Sequence, residues 1–124
     1  MSSNDAPLNS WKFSNRNAEH MSISSITLAD LMYGVEKSSF PEKNLKVVED
    51  FISHLEVLSY DEGAAMQYGN IRSDLEKKKT TIEVNNLHIA AHARSRALIL
   101  VTNNTKDFEQ VDGLRLVDWT EQDR

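Results

Sequence analysis

The sequence predicts an α/β fold, a parallel sheet flanked by helices. Short apolar or β-branched runs alternate with segments of helical period, the pattern of strand–helix–strand units. The run Leu98-Ile99-Leu100-Val101 is four apolar residues bounded by polar turn residues, which suits a strand covered on both faces. The 124 residues are enough for one domain with a real core, and no repeat, low-complexity run or linker divides them.

Taken in order, residues 1–17 are polar and weakly patterned, with only Leu8, Trp11 and Phe13 able to anchor them. This segment reads as mostly irregular, with one short helix near Ser10–Asn15. The main domain is expected over residues 18–120, with a tail at 121–124. Met21-Ser22-Ile23-Ser24 alternates as a short strand, and Ser24 and Ser25 then offer capping hydroxyls to a helix. Ile26, Leu28, Leu31, Met32 and Val35 form its buried face, up to about Ser38. Pro41 suits the first turn of a second helix, in which Leu45, Val48, Phe51, Ile52 and Leu55 keep helical spacing.

Val57–Tyr60 is strand-like. Asp61 caps a third helix with Ala64, Ala65, Tyr68, Ile71 and Leu75 facing inward, and Lys77-Lys78-Lys79 complement its C-terminal dipole. Thr80–Val84 is a β-branched connector. Leu87, Ile89, Ala90, Ala93 and Ala97 then make one apolar helical face, leading into the Leu98–Val101 strand. That strand ends at Thr102-Asn103-Asn104-Thr105, with a short helix expected over Asp107–Gln110. Leu114–Val117 is the last strand, and Trp119 seals its end.

Composition narrows the function. Apolar residues make up 40% and charged residues 27%, an ordinary balance for a globular domain. With no cysteine, disulfides and thiolate metal sites are excluded. No apolar run reaches the roughly 20 residues of a membrane-spanning helix, and MSSNDAPLNSWKF lacks the pattern of a secretory signal, so a cytoplasmic protein is expected. The net charge of −5 argues against nonspecific nucleic-acid binding through a broad basic surface. It leaves room for a metal-dependent nuclease, whose acids cluster in one site where bound cations invert the local field.

Phosphate-cradling loops of the GxGxxG or GxxxxGK[ST] kind are absent, as is a GxSxG elbow. His88 and His92 stand four apart on one helix, a spacing that can serve a metal, but the glutamate of HExxH and a third ligand are missing. They read as histidines at the core face. The carboxylates are more informative. Asp30 sits inside an apolar helix and Asp107 follows the buried strand. Carboxylates from separate segments meeting at strand ends make a site of the Mg²⁺ or Mn²⁺ type. Each also has a plain alternative: a solvated helix position for Asp30, a cap for Asp107.

Five segments carry a resemblance. Ser24-Ser25-Ile26-Thr27-Leu28-Ala29-Asp30-Leu31-Met32-Tyr33-Gly34-Val35-Glu36-Lys37-Ser38 resembles the SSxTxxELxYGxEKS segment of VapC-type toxins of the PIN-domain family. Leu87–Ser95 resembles their DxxIAAHARS helix, and Val101–Phe108 their VTNNxxEF turn. Tyr68–Arg72 resembles YGxIR, and Gly113–Trp119 the GLxxxDW ending. The match runs in order from about Phe13 to Thr120.

The resemblance implies a parallel PIN-like α/β sheet flanked by helices. It implies Mg²⁺/Mn²⁺-dependent endoribonuclease action on RNA, a VapB-type antitoxin partner and a homodimer. Of the family's four site acids, the second falls on Asp30 and the fourth on Asp107, both as acids. The third falls on Asn86, an amide with no negative charge. The first belongs to an N-terminal strand of the form MLDTN, which this chain lacks; Asp5 has the residue type without the strand and is given no role. Asp30, Asn86 and Asp107 are therefore the expected catalytic residues, Asp30 and Asp107 the metal ligands, and Thr102 and Asn104 the residues that position water or phosphate. Two carboxylates in place of four imply weak cation binding. The alternative is a catalytically inactive PIN-like pseudoenzyme that binds an antitoxin or paralogue. The lost strand is central in the parent sheet, so either the gap is covered by Leu8–Phe13, a second copy or a partner, or the chain is a decayed product that folds poorly.

Overall fold

The computed structural model describes residues 12–14 and 21–118. Five strands form one sheet: β1 (Lys12–Ser14), β2 (Met21–Ser24), β3 (Glu56–Leu58), β4 (Ile99–Thr102) and β5 (Arg115–Asp118), in the order β3-β2-β1-β4-β5. Around it lie α1 (Ser25–Lys37), α2 (Pro41–Ile52), α3 (Glu62–Lys77), α4 (Val84–Ser95) and the short α5 (Thr105–Phe108). The expected α/β architecture is present.

The sheet is mixed rather than wholly parallel. β2 pairs parallel with β3, and β4 with β5, while β1 runs antiparallel to both β2 and β4. Hence β2, β3, β4 and β5 all point one way, and Ser24, Leu58, Thr102 and Asp118 end at one edge. The centre of the sheet is filled by Lys12–Ser14, in the stretch expected to be irregular with a short helix. Chain length explains its inverted direction. Only residues 15–20 join β1 to β2, and a parallel crossover needs a dozen or more. A short link can return only as an antiparallel neighbour. Lys12–Ser14 thus occupy the position between β2 and β4, and residues 8–11 of the Leu8–Phe13 segment expected to cover it lie outside the described residues. Trp119 and Asp5 also lie outside them.

Phe13 is the pivot of the core. It is fully buried, pairs in register with Leu100 and Ser22, and meets the His92 ring edge-on at 5.4 Å. The core continues through Leu58, Ile71, Leu75, Ile82, Leu87, Ile89, Phe108 and Val111. α4 is more deeply set than a single apolar face predicts: Asn86, Leu87, Ile89, Ala90, Ala91, His92 and Ala93 are all buried. Its alanines allow close approach on several sides, so a helix with little contrast between faces still packs well. Ala97, expected on that face, lies beyond the helix, exposed, with φ 56°. Ala65, expected inward, is exposed because α3 buries the stripe of Ala64, Ile71 and Leu75.

The caps follow the sequence. Ser24 Oγ accepts the Ile26 N–H at 3.0 Å at the start of α1, and Asp61 Oδ1 accepts the Ala64 N–H at 3.2 Å at the start of α3. Pro41 is the first residue of α2. β4 and β5 sit one residue later than the apolar runs, and α5 opens at Thr105 rather than Asp107. Among the described residues, no helix is long and apolar enough to cross a membrane.

Candidate functional site at the carboxyl edge of the sheet

Four segments reach the edge where the parallel strands end, the place where open α/β sheets put their chemistry. β2 hands over directly to α1, which carries Asp30. β4 ends at Thr102 and leads through Asn104 into α5, which carries Asp107. The first turn of α4 carries Asn85 and Asn86. The central position between β2 and β4 is held by β1, whose Lys12 pairs with Val101.

One bond ties α1 to α4 here. Asn85 Nδ2 donates to Asp30 Oδ1 at 2.7 Å and to Oδ2 at 2.9 Å. Much of Asp30 is open to solvent, yet its carboxyl is shielded enough that desolvation pushes its pKa above the ordinary carboxylate value, against the pull of the Asn85 hydrogen bond. Asn86 is buried, and its backbone N–H donates to the Glu83 side chain at 3.4 Å. The amide that touches Asp30 is therefore Asn85, not the neighbouring Asn86 that the resemblance singles out. The Asn-Asn pair in the sequence is the signal; which of the two faces α1 is settled by the roughly 100° rotation between successive helical residues.

Thr102 is fully buried, and its Oγ1 accepts the Asn104 N–H at 3.0 Å, a hydroxyl-closed turn that leads the chain into α5. Asn104 is the residue before α5 and makes no side-chain capping bond. Asp107 lies half-buried within α5, so it does not serve as that helix's N-cap.

His88 and His92 do not share a ligand. His92 Nδ1 bonds Ser24 Oγ at 2.7 Å inside the core, while His88 Nδ1 bonds the Tyr60 hydroxyl at 2.7 Å. Tyr60 lies edge-on to both imidazoles, and His88 stacks on Tyr68 at 4.2 Å. Burial pushes the His92 pKa down, with Arg96 adding to it and Asp61 and the Ser59 backbone opposing. No hydrogen bond of full geometry reaches His92 Nε2 among the described residues, so the Ser59 contact is a weak one. Burial, then Arg72, lowers His88 likewise. Both imidazoles are thus kept neutral as packing groups.

The donor set is lean for a divalent ion. Among the described residues no three His, Asp or Glu side chains converge. Both oxygens of Asp30 already accept from an amide. A hard cation favours several oxygen ligands with charge among them, and the described donors offer few.

With this geometry in view, relatives place the chain. Residues 8–114 match the PIN domain. The chain is 51% identical to Ribonuclease VapC2 of Haemophilus influenzae over 105 residues, 85% of this chain and 80% of that protein. It is 53% identical to the tRNA(fMet)-specific endonuclease VapC of Salmonella typhimurium, again over 105 residues, 85% of this chain and 80% of that protein. Among solved structures, the DNA-bound VapBC of Salmonella typhimurium superposes with a TM-score of 0.78 at 54% identity, covering 79% of this chain and 74% of that one. VapBC2 of Rickettsia felis, bound to a promoter DNA fragment, gives 0.77 at 42%, with the same coverages. The chain belongs to the PIN-domain family and is similar over most of its length to proteins named as VapC ribonucleases.

Proposed function

We propose that this chain is the toxin component of a VapBC-type pair, a VapC-like endoribonuclease whose acidic site is incomplete. The observation that carries the reading is the shared edge. Asp30, Asn86, Thr102, Asn104 and Asp107 come from three separate segments, yet the topology delivers all three to the carboxyl ends of parallel strands. In this reading Asp30 and Asp107 supply negative charge, Asn86 supplies an amide oxygen, and Thr102 and Asn104 shape the turn against which a phosphate or water rests. Mg²⁺ or Mn²⁺ binds weakly, since ligand charge count sets affinity. RNA is the substrate and the cytoplasm the place of action; tRNA(fMet), the target in the Salmonella relative's name, is the first probe to use. A VapB-type antitoxin is the partner, in line with the VapBC complexes it resembles; a homodimer rests on the family resemblance alone.

A second reading is favoured by a specific observation. Asp30 is satisfied by Asn85, and Asn86 stands where an acid would serve. Both features suit a pseudoenzyme that keeps its fold to bind an antitoxin or a paralogue. Cleavage of tRNA(fMet) in Mn²⁺ by the folded chain, beside Asp30→Ala and Asp107→Ala, separates the two. Cleavage lost in both variants supports the reduced ribonuclease. A folded wild-type chain that leaves the RNA intact supports the pseudoenzyme.

A further inference from the structure

We infer that Asn85 is a latch on Asp30, its amide competing with a divalent cation for the same carboxylate oxygens. The inference deepens the proposed function, because it rests on Asp30 being a site carboxylate. The bond spans 55 positions of sequence and joins α1 to the first turn of α4. Both Asp30 oxygens are engaged, at 2.7 and 2.9 Å, by a single Nδ2. A cation that takes these oxygens on the side Asn85 faces must displace its N–H donor, whose partial positive charge repels it. Hydrogen bonds to an ionised acceptor are among the stronger ones in proteins, so displacing this one weakens cation binding directly.

The latch also explains how Asp30 persists. The carboxyl is partly desolvated, and a desolvated charge without a partner is costly. In a site with its full acid set, a bound cation meets that need. Here the neighbouring amide meets it instead. Asn85 and Asn86 thus have separate consequences: Asn86 leaves out a carboxylate, and Asn85 closes one that remains.

The test is Mn²⁺ binding by the full chain, read from the electron paramagnetic resonance signal of the free ion, so that it needs no RNA cleavage. Wild type is compared with Asn85→Ala, with Asn85→Leu, which keeps the branched shape and removes the donor, with Asp30→Ala, and with the Asn85→Ala/Asp30→Ala double variant. Circular dichroism checks that each variant is folded. The latch predicts that both Asn85 variants tighten Mn²⁺ binding by about tenfold, the worth of one charge-assisted hydrogen bond. It predicts that Asp30→Ala abolishes the gain and that the double variant behaves as Asp30→Ala alone. Asn85 variants that bind Mn²⁺ no better than wild type, including the case in which neither binds, overturn the latch. If Asp30→Ala leaves wild-type binding unchanged, the site reading fails and the latch with it; if it weakens binding while the Asn85 variants gain nothing, only the latch fails.

Discussion

His92 shows how a single residue couples the core to solution conditions. Its imidazole is wedged between Phe13, Tyr60 and Ser24, and burial holds its pKa below the ordinary 6.5. Above that pH the histidine is neutral in both folded and unfolded chains and costs nothing. As pH falls through 6.5 the unfolded chain takes up a proton that the folded chain refuses, so stability declines until the folded-state pKa is reached. His88 acts in the same direction. The thermal midpoint is therefore expected to drop from pH 7.5 to 5.5, with the His92 ring proton signals in NMR titrating at a lower pH than those of a histidine in the unfolded chain. A His92 that titrates at or above its ordinary value would refute this. The sequence made both histidines legible as core residues, because a helix lacking HExxH and a third ligand offers little to a metal. Their partners Tyr60 and Ser24 were not legible, since they lie 28 and 68 positions away.

Element ends were more legible than element faces. The caps at Ser24 and Asp61 and the proline at the start of α2 act locally, through hydroxyl, carboxylate and fixed φ, and they stand where the sequence puts them. The end of α4 was missed, because its geometry depends on a residue with no outward signal. Ala97 takes φ 56°, its N–H reaching Arg94 O and the Leu98 N–H reaching Ala93 O, a Schellman closure that favours glycine. The left-handed conformation costs an alanine about 1 kcal/mol or more, and glycine's greater freedom in the unfolded chain offsets part of what is regained. Ala97→Gly is expected to stabilise the protein by about 0.5–1 kcal/mol, measured by urea unfolding. A destabilised variant would show that the Ala97 methyl contributes contacts beyond the turn. β1 was read as helix near Ser10–Asn15 because three residues carry no periodicity. Its strand state is imposed by the vacancy between β2 and β4, a tertiary effect that local propensity does not register.

At the scale of the whole molecule, the chain keeps a PIN-like layout of strands and helices. Four strands point one way and deliver Asp30, the α4 amides and Asp107 to one edge, as the alternation of strands and helices foretold. The fifth runs backwards through the middle, closing the core with Phe13 and presenting Lys12–Ser14 where the resemblance expects an acid-bearing strand. Asp30 and Asp107 stood out in the sequence because they sit in strongly patterned segments. It was not legible at Asn85, whose role depends on which side of α4 meets α1. The central proposal is that this edge binds a divalent cation but is short of charge, with Asn86 at one of the places where charge is missing. The most direct test is calorimetric titration of Mn²⁺ into wild type and Asn86→Asp, with Asp30→Ala added to the latter. Asn86→Asp is expected to bind Mn²⁺ at least about tenfold more tightly, because ligand charge sets affinity, and Asp30→Ala to remove the gain. Identical isotherms for wild type and Asn86→Asp would contradict the proposal and take Asn86 out of the site.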